Sequence, residues 1–446
     1  MNVDKKKFLI VGSGGRESAF ASRLVEDTKL YAVIGHKNKS IINCVAKTGG
    51  EYTIGDVNDP YQVLDFAKTY GIDYVFVSAD QPLANGVIDV LTSNGIKAIG
   101  GTKEATRIEW DKVYSIEMMQ KICPEFTPYY RIISSQDQLD EAIDYFKKHN
   151  LQVVVKPQGL TGGKGVKVMP EHLAGWQECI DYAASLLRQK NDKVLLVEKL
   201  QGIEFTIMGI TDGKHLVMSP ASYDYPFRYE DDLGAGTGGM GCFTNNEKKL
   251  PFMTEKDLDD CKNIMQKILD ELRKRNLCFN GVLNGGFFKT KDGIKFMEFN
   301  GRFGDPEGLN ILGILEGSFS ELLVNIYDKT LSENTISFVK KASVVKYLVA
   351  KEYPDESKEA SSFYINEKKI KELGVNTYFG SSIQIGANQY QTLRKSRVVA
   401  FGAIADNIET ASVMINNAID NYVSGPLEYR RDIGSAKSLD KLQKML

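Results

Sequence analysis

The chain has 446 residues, and its 56 Lys plus Arg against 58 Asp plus Glu leave a formal charge of -2, which disfavours a main role in gripping nucleic acid or an anionic membrane. Six cysteines without CxxC spacing and only four histidines disfavour zinc and a disulfide framework, so reduced thiols in a cytoplasmic protein are expected. The first apolar run, Phe8–Val11, is far too short for a signal segment, and nothing approaches the ~18 apolar residues of a membrane span.

A chain of this length suits several packed units. "FLIVGSGGRESAFASRLV" reads as a buried strand, a glycine turn and a helix, and "LYAVIG" and "DYVFVSA" repeat the short apolar strand. That alternation predicts a parallel α/β sheet up to about residue 100. "GGTKEATRIEWDKVYSIEMMQKI" reads as one longer amphipathic helix, after which "LQVVVKPQGLTGGKGVKVM" supplies two strands around a glycine-rich loop. Antiparallel strands follow, with turns at Asp212-Gly213 and Asp292-Gly293 and an amphipathic helix at about 254–276 between them. "GSFSELLVNIYDKTL" is helical, and a last mixed α/β region starts near residue 330 with "KKASVVKYLVAKEYP". The expected class is α/β throughout.

Three stretches carry chemistry. "GSGGRE" lacks the third glycine of a dinucleotide fingerprint, because position 17 is Glu, and "VIGHKNK" ends the second strand without a ribose-binding acid. Hydride transfer is therefore disfavoured. Gly12, Gly14 and Gly15 instead bring backbone N–H groups and a helix N-terminus together as a cradle for one phosphate, although a plain strand-to-helix turn would need the same glycines. In "KPQGLTGGKGV", Lys156 on the strand and Lys164 in the flexible loop suit a lid closing over nucleotide phosphates, with a simple hairpin as the other reading. In "FMEFNGRFGDPEG", Glu298 and Asn300 lie two apart on a strand and face one way, as hard oxygen donors for Mg2+ or Mn2+ bridging a nucleotide. Gly301 then permits a bend, Arg302 offers a forked cation, and Asp305 and Glu307 add acids nearby. A solvated charged loop would look similar, but here an apolar strand leads directly into it.

In chain order, "VGSGGRE", "DQPLANGV", "IGGTKEA", "VVKPQGLTGGKGV", "VEKLQGIE", "GTGGMG", "EFNGRFGDPE" and "RRDIG" run from about residue 8 to 434. Together they resemble the ATP-grasp ligases, and among these the phosphoribosylamine–glycine ligase family. The resemblance implies a Rossmann-like N-terminal domain (1–103), an ATP-grasp domain (104–330, with a lid at about 120–195) and a C-terminal mixed α/β domain (331–446). It implies an ATP-dependent enzyme of purine biosynthesis that joins glycine to 5-phosphoribosylamine through glycyl phosphate, releasing ADP and phosphate. Phosphoryl transfer of this kind needs positioning and charge neutralisation more than a nucleophilic side chain.

Carried over residue by residue, Lys156 and Lys164 meet the nucleotide phosphates, and the segment Val197 to Leu200 meets adenine. Within it Glu198 receives the adenine amino group beside Lys199 and Leu200, and Glu204 takes the ribose. Glu298 and Asn300 fall on the metal ligands, while Arg302, Lys156 and Asp305 are the catalytic candidates. Gly12, Gly14, Gly15, Arg16, Glu17, Asp80, Pro82, Asp305 and Glu307 face the substrates. The partners implied are small molecules, and a monomer or weak dimer is expected. The chain departs from the family pattern at Ser18 (for His), Asp80 (for Glu), Gly236 (for Asn), "DPEGLN" and "WDK". These departures leave two alternatives: a ligase of the same fold for another amino acid or amine, and a nucleotide-binding relative without turnover.

Overall fold

Five short apolar strands open the chain: Lys7–Val11, Lys29–Ile34, Tyr52–Ile54, Tyr74–Val77 and Ala98–Gly101. All pair in parallel, in the spatial order third, second, first, fourth, fifth. In the four inner strands alternate side chains are buried on both faces, whereas Tyr52 and Ile54 on the edge strand are exposed. Phe8 and Ile10 pack with the helices Gly15–Leu24 and Lys39–Thr48, whereas Leu9 and Val11 pack with Pro60–Tyr70 and Val87–Ser93. The computed structural model describes residues 5–160, 165–190 and 193–445.

The strand Ala98–Gly101 also pairs, antiparallel, with Phe279–Thr290, so the first sheet runs on into a second, antiparallel part. There Ile203–Thr211, Leu216–Asp224, Phe279–Thr290 and Gly293–Asn300 form hairpins that turn where the Asp-Gly pairs predict. The same sheet continues through Gly241–Thr244, Ala342–Ala350, Val399–Ala405 and Val375–Phe379. Hydrogen bonding thus passes without interruption across the change in pattern near residue 330. One face of this sheet packs Phe205, Phe287, Phe296 and Phe299 beneath the helix Glu255–Lys274, whose start is fixed by Thr254 and Asp257 capping each other's backbone N–H groups. The other face lies under the helices Glu307–Ile314 and Phe319–Asp328. A separate four-stranded sheet, Tyr130–Ile133, Val194–Glu198, Val153–Pro157 and Lys167–Val168, has its own core with the helices Gln136–Lys148 and Trp176–Lys190.

The segment read as one long helix is two, Arg107–Trp110 and Lys112–Ile122. Asp111 breaks it: its carboxylate accepts the Tyr114 N–H at 3.1 Å as an N-cap and also holds Arg107. The six cysteines are unpaired. Among the described residues no helix is long and apolar enough to cross a membrane.

Gly15 shows how tightly the N-terminal and C-terminal parts meet. A Cβ on it would lie 2.1 Å from the Tyr347 hydroxyl oxygen, and Tyr347 belongs to the strand Ala342–Ala350. Gly15→Ala is therefore expected to cost about 1–3 kcal/mol, as overpacking does, seen as a fall in the thermal midpoint. Tyr347→Phe in the same chain should offset part of that loss. Strictly additive effects in the double variant would contradict the contact.

Candidate active site

The site is built on one face of the antiparallel part of the sheet. Asn284 pairs with Asn300, and Gly286 with both Glu298 and Thr206. Thr206 pairs with Ser222, which in turn pairs with Thr244. Directly opposed residues share a face, as do residues two apart on one strand. Glu298, Asn300, Asn284, Thr206, Ser222 and Thr244 therefore form a polar band, and Glu204 and Asp224 extend it. Glu298 and Asn300 do point the same way, as their spacing predicts.

Lys156 reaches this band from the separate four-stranded sheet. It is 8 % exposed, and its Nζ donates to the Met297 carbonyl at 3.4 Å. Burial pulls its pKa down against the opposing attraction of Glu298. The carboxylates are short of positive charge. Desolvation, then Glu298, pushes Glu204 up to about 7, and desolvation with Glu204 and Glu307 raises Asp224 well above the carboxylate range. Among the described residues, the buried Oδ1 atoms of Asp224 and Asn284 have no hydrogen-bond partner. Among the described residues no group of three or more His, Cys, Asp and Glu side chains is arranged to cage a metal; the oxygen donors on this face are carboxylates, amides and hydroxyls.

Beyond Asn300 the chain bends into the charged loop. Arg302 donates to the Phe303 carbonyl at 3.1 Å and to Asn300 Oδ1 at 3.3 Å. Its Nε is 3.1 Å from Glu109 Oε1 yet makes no hydrogen bond, so that contact is electrostatic. Glu109 also accepts the Gly301 N–H at 2.7 Å. Asp305 accepts from the Tyr347 hydroxyl at 2.7 Å and pairs with Arg397 at 3.1 Å. Arg397 additionally donates to the Asp305, Gly238 and Gly239 carbonyls, which ties "GTGGMG" to "RFGDPE". Glu307 is buried, and burial raises its pKa; Thr206 Oγ1 lies 3.5 Å from it.

The glycine turn sits beside this loop. Gly12 has φ +123°, a backbone region that side chains other than hydrogen disfavour. Its N–H donates to the Val33 carbonyl at 3.0 Å, and the Gly14 N–H donates to Glu17 at 2.8 Å. Both N–H groups are thus engaged within the protein. Glu17 also takes Arg16 Nε at 2.8 Å, and Arg16 reaches the Phe303 carbonyl at 3.1 Å. Asp80 starts the helix Asp80–Ala84, where Pro82 is buried. Desolvation would raise the pKa of Asp80, but Arg302 and Arg16 outweigh it and hold it low. On the nucleotide side, one oxygen of Glu198 accepts the Tyr129 N–H at 2.9 Å, Lys199 pairs with Glu171, and Leu200 is half-buried. Lys164 lies outside the described residues.

Glu109, Asn284, Asp224, Tyr347 and Arg397 were not among the residues the motifs single out. Asn284 and Asp224 had a signal, since each is polar within an apolar strand at the two-residue spacing of the site face. Glu109 is expected to be indispensable to the loop. Glu109→Ala would leave Arg302 without its carboxylate, a loss of about 3 kcal/mol by analogy with broken buried pairs, readable by denaturant unfolding. Glu109→Gln, which keeps an acceptor for Gly301, should lose less; equal losses would remove the role given to that hydrogen bond.

Two family models match the chain: the N domain of phosphoribosylglycinamide synthetase over residues 6–109 and its ATP-grasp (A) domain over residues 110–308. The phosphoribosylamine–glycine ligase of Pyrococcus furiosus is 37 % identical, the alignment covering 99 % of this chain and 97 % of that one. The enzyme of the same name from Methanothermobacter thermautotrophicus is 36 % identical, over 98 % of each. Among solved structures, the phosphoribosylamine–glycine ligase of Thermotoga maritima superposes with a TM-score of 0.76 at 21 % identity, covering 96 % of this chain and 100 % of that one. A biotin carboxylase domain of Hydrogenobacter thermophilus 2-oxoglutarate carboxylase, crystallised with MgADP, shares the fold at a TM-score of 0.70 and 15 % identity, over 95 % of this chain and 92 % of that one. From both family models and relatives aligned over nearly its whole length, the chain belongs to the phosphoribosylamine–glycine ligase (phosphoribosylglycinamide synthetase) family.

Proposed function

We propose that the protein is an ATP-dependent ligase of purine biosynthesis that joins glycine to 5-phosphoribosylamine through glycyl phosphate, with ADP and phosphate as the other products. The observation that carries this reading is the meeting of Lys156, Glu298, Asn300 and Arg302, from two different sheets, in a chain of this family. Residues 104–330 serve as the nucleotide-binding unit with its lid at about 120–195, residues 1–103 as the acceptor unit and 331–446 as the closing domain.

In this reading Lys156 and Lys164 hold the nucleotide phosphates, Glu198, Lys199 and Leu200 border the base, and Glu204 receives the ribose. The donors on the site face fit Mg2+ or Mn2+: Glu298 and Asn300 present hard oxygens together, and the neighbouring acids have too few cations. When bound, the ion neutralises charge on the transferred phosphoryl group. Arg302 orients the glycine carboxylate towards that group, and Asp305 keeps the loop in place through Tyr347 and Arg397. Gly12, Gly14 and Gly15 shape a turn beside which the acceptor binds, with Arg16, Glu17, Asp80, Pro82 and Glu307 around it; because Val33 and Glu17 engage the Gly12 and Gly14 N–H groups, the acceptor's phosphate does not rest on those two donors. Cover from the lid protects the acyl phosphate from water. The substrates are small molecules, and the protein acts in the cytoplasm as a monomer or weak dimer.

The test is product analysis. Purified protein receives ATP, Mg2+, freshly formed phosphoribosylamine and equimolar glycine, alanine and serine. The glycine conjugate with stoichiometric ADP and phosphate is expected. AMP and pyrophosphate would exclude phosphorylation of the carboxylate, and a dominant alanine or serine conjugate would make the protein a ligase for another amino acid.

A further inference from the structure

Asn284 is a buried, uncharged polar group at the site that the roles above leave unused. It sits in the strand Phe279–Thr290, 2 % exposed, and its Oδ1 has no hydrogen-bond partner among the described residues. Its register partner is Asn300, and Glu298 lies two residues back on that partner strand, so all three side chains leave the sheet on the same face. On that face its own strand carries Val282 two residues earlier, and Met208 stands opposite Asn284 on the other neighbouring strand; both belong to an apolar cluster. The surroundings would accept a leucine of similar size. Buried amide oxygens are nearly always partnered, and an orphan is costlier than an apolar replacement. Asn300 differs, because its Oδ1 already accepts from Arg302.

The geometry points to Asn284 as a further oxygen donor to the divalent cation held by Glu298 and Asn300. An amide oxygen is a hard, neutral ligand of the kind such ions accept beside a carboxylate and phosphate oxygens. The inference rests on the metal-dependent reading above, and its test separates the two.

Mn2+ binding is measured by electron paramagnetic resonance titration in the presence of ADP, for the unaltered protein, Asn284→Leu, Asn284→Asp and Glu298→Gln. ADP affinity in EDTA and the thermal midpoint without metal are measured in parallel. Asn284→Leu should weaken Mn2+ binding about tenfold, the scale of losing one supporting ligand, with metal-free ADP affinity changed by less than about twofold. Asn284→Asp, which keeps an oxygen in place and adds charge, should bind Mn2+ at least as tightly as the unaltered protein. Unchanged Mn2+ affinity in Asn284→Leu, or an equal loss of ADP affinity in EDTA, would overturn the assignment. If Asn284→Leu fails to fold, weakened Mn2+ binding in Asn284→Asp overturns it instead. Glu298→Gln decides the underlying reading: weakened binding there beside normal binding in Asn284→Leu rejects Asn284 alone, whereas normal binding in both rejects the metal site itself.

Discussion

The site depends on the segment from Gly301 to Glu307 being gripped from three sides at once. Glu109 takes its first N–H and faces Arg302. From the N-terminal part, Ser78, just after the strand Tyr74–Val77, accepts the Phe303 N–H at 2.9 Å, and Arg16 of the helix Gly15–Leu24 donates to the Phe303 carbonyl. From the C-terminal part, Tyr347 on its strand and Arg397 just ahead of the strand Val399–Ala405 hold both oxygens of Asp305. A loop bearing Arg302, Asp305 and Glu307 in a partly desolvated cleft would be unstable without such partners, because an unpaired charge away from water costs several kcal/mol. The same contacts bring three stretches that are far apart in sequence to one place.

The sheet beneath explains why the chemistry lies on only one of its faces. Phe205, Phe287 and Phe299 point to the helix Glu255–Lys274 and form a continuous apolar layer, so the intervening positions are free to be polar. Where those positions are covered by the helix Glu307–Ile314 they satisfy each other: Ser222 bonds Thr244, and Asn310 bonds both Cys242 and Ser343. At the open end, the carboxylates of Glu204, Asp224 and Glu298 repel one another instead. Repulsion among fixed acids stores a preference for a cation, and Lys156 supplies only part of it. Binding of positive charge at this end of the sheet is in this sense already favoured by the fold.

What the sequence made legible was local. Strand periodicity placed Glu298 and Asn300 together, Asp-Gly pairs marked both hairpin turns, and the short apolar runs gave the parallel sheet. Two kinds of feature were not legible. Capping competes with helix continuity over a single residue, so Asp111 split a segment whose apolar pattern runs through it. Contacts between distant stretches leave no local pattern at all: Arg397 and Tyr347 lie among ordinary strand and loop residues, and their importance comes only from meeting Asp305. The glycine turn falls between these cases. Its glycines were evident, but the engagement of the Gly12 and Gly14 N–H groups by Val33 and Glu17 was not.

The same distinction bears on how the departures from the family pattern are read. Ser18 looked like a change on the acceptor side, where a smaller donor replaces a chargeable ring. In the fold its hydroxyl is fully buried and donates to the Phe379 carbonyl at 2.6 Å. Asn38 donates to that carbonyl as well, at 2.7 Å, so the residue helps dock the N-terminal helix onto the strand Val375–Phe379. A short side chain suits that narrow junction. Gly236 is the opposite case, since a Cβ there would meet nothing within 4 Å, and its lack of a side chain leaves room rather than serving packing. One departure therefore belongs to the joint between chain segments, and the other lies where a side chain would meet no neighbour, at the strand pair Phe227–Tyr229 and Leu233–Gly236.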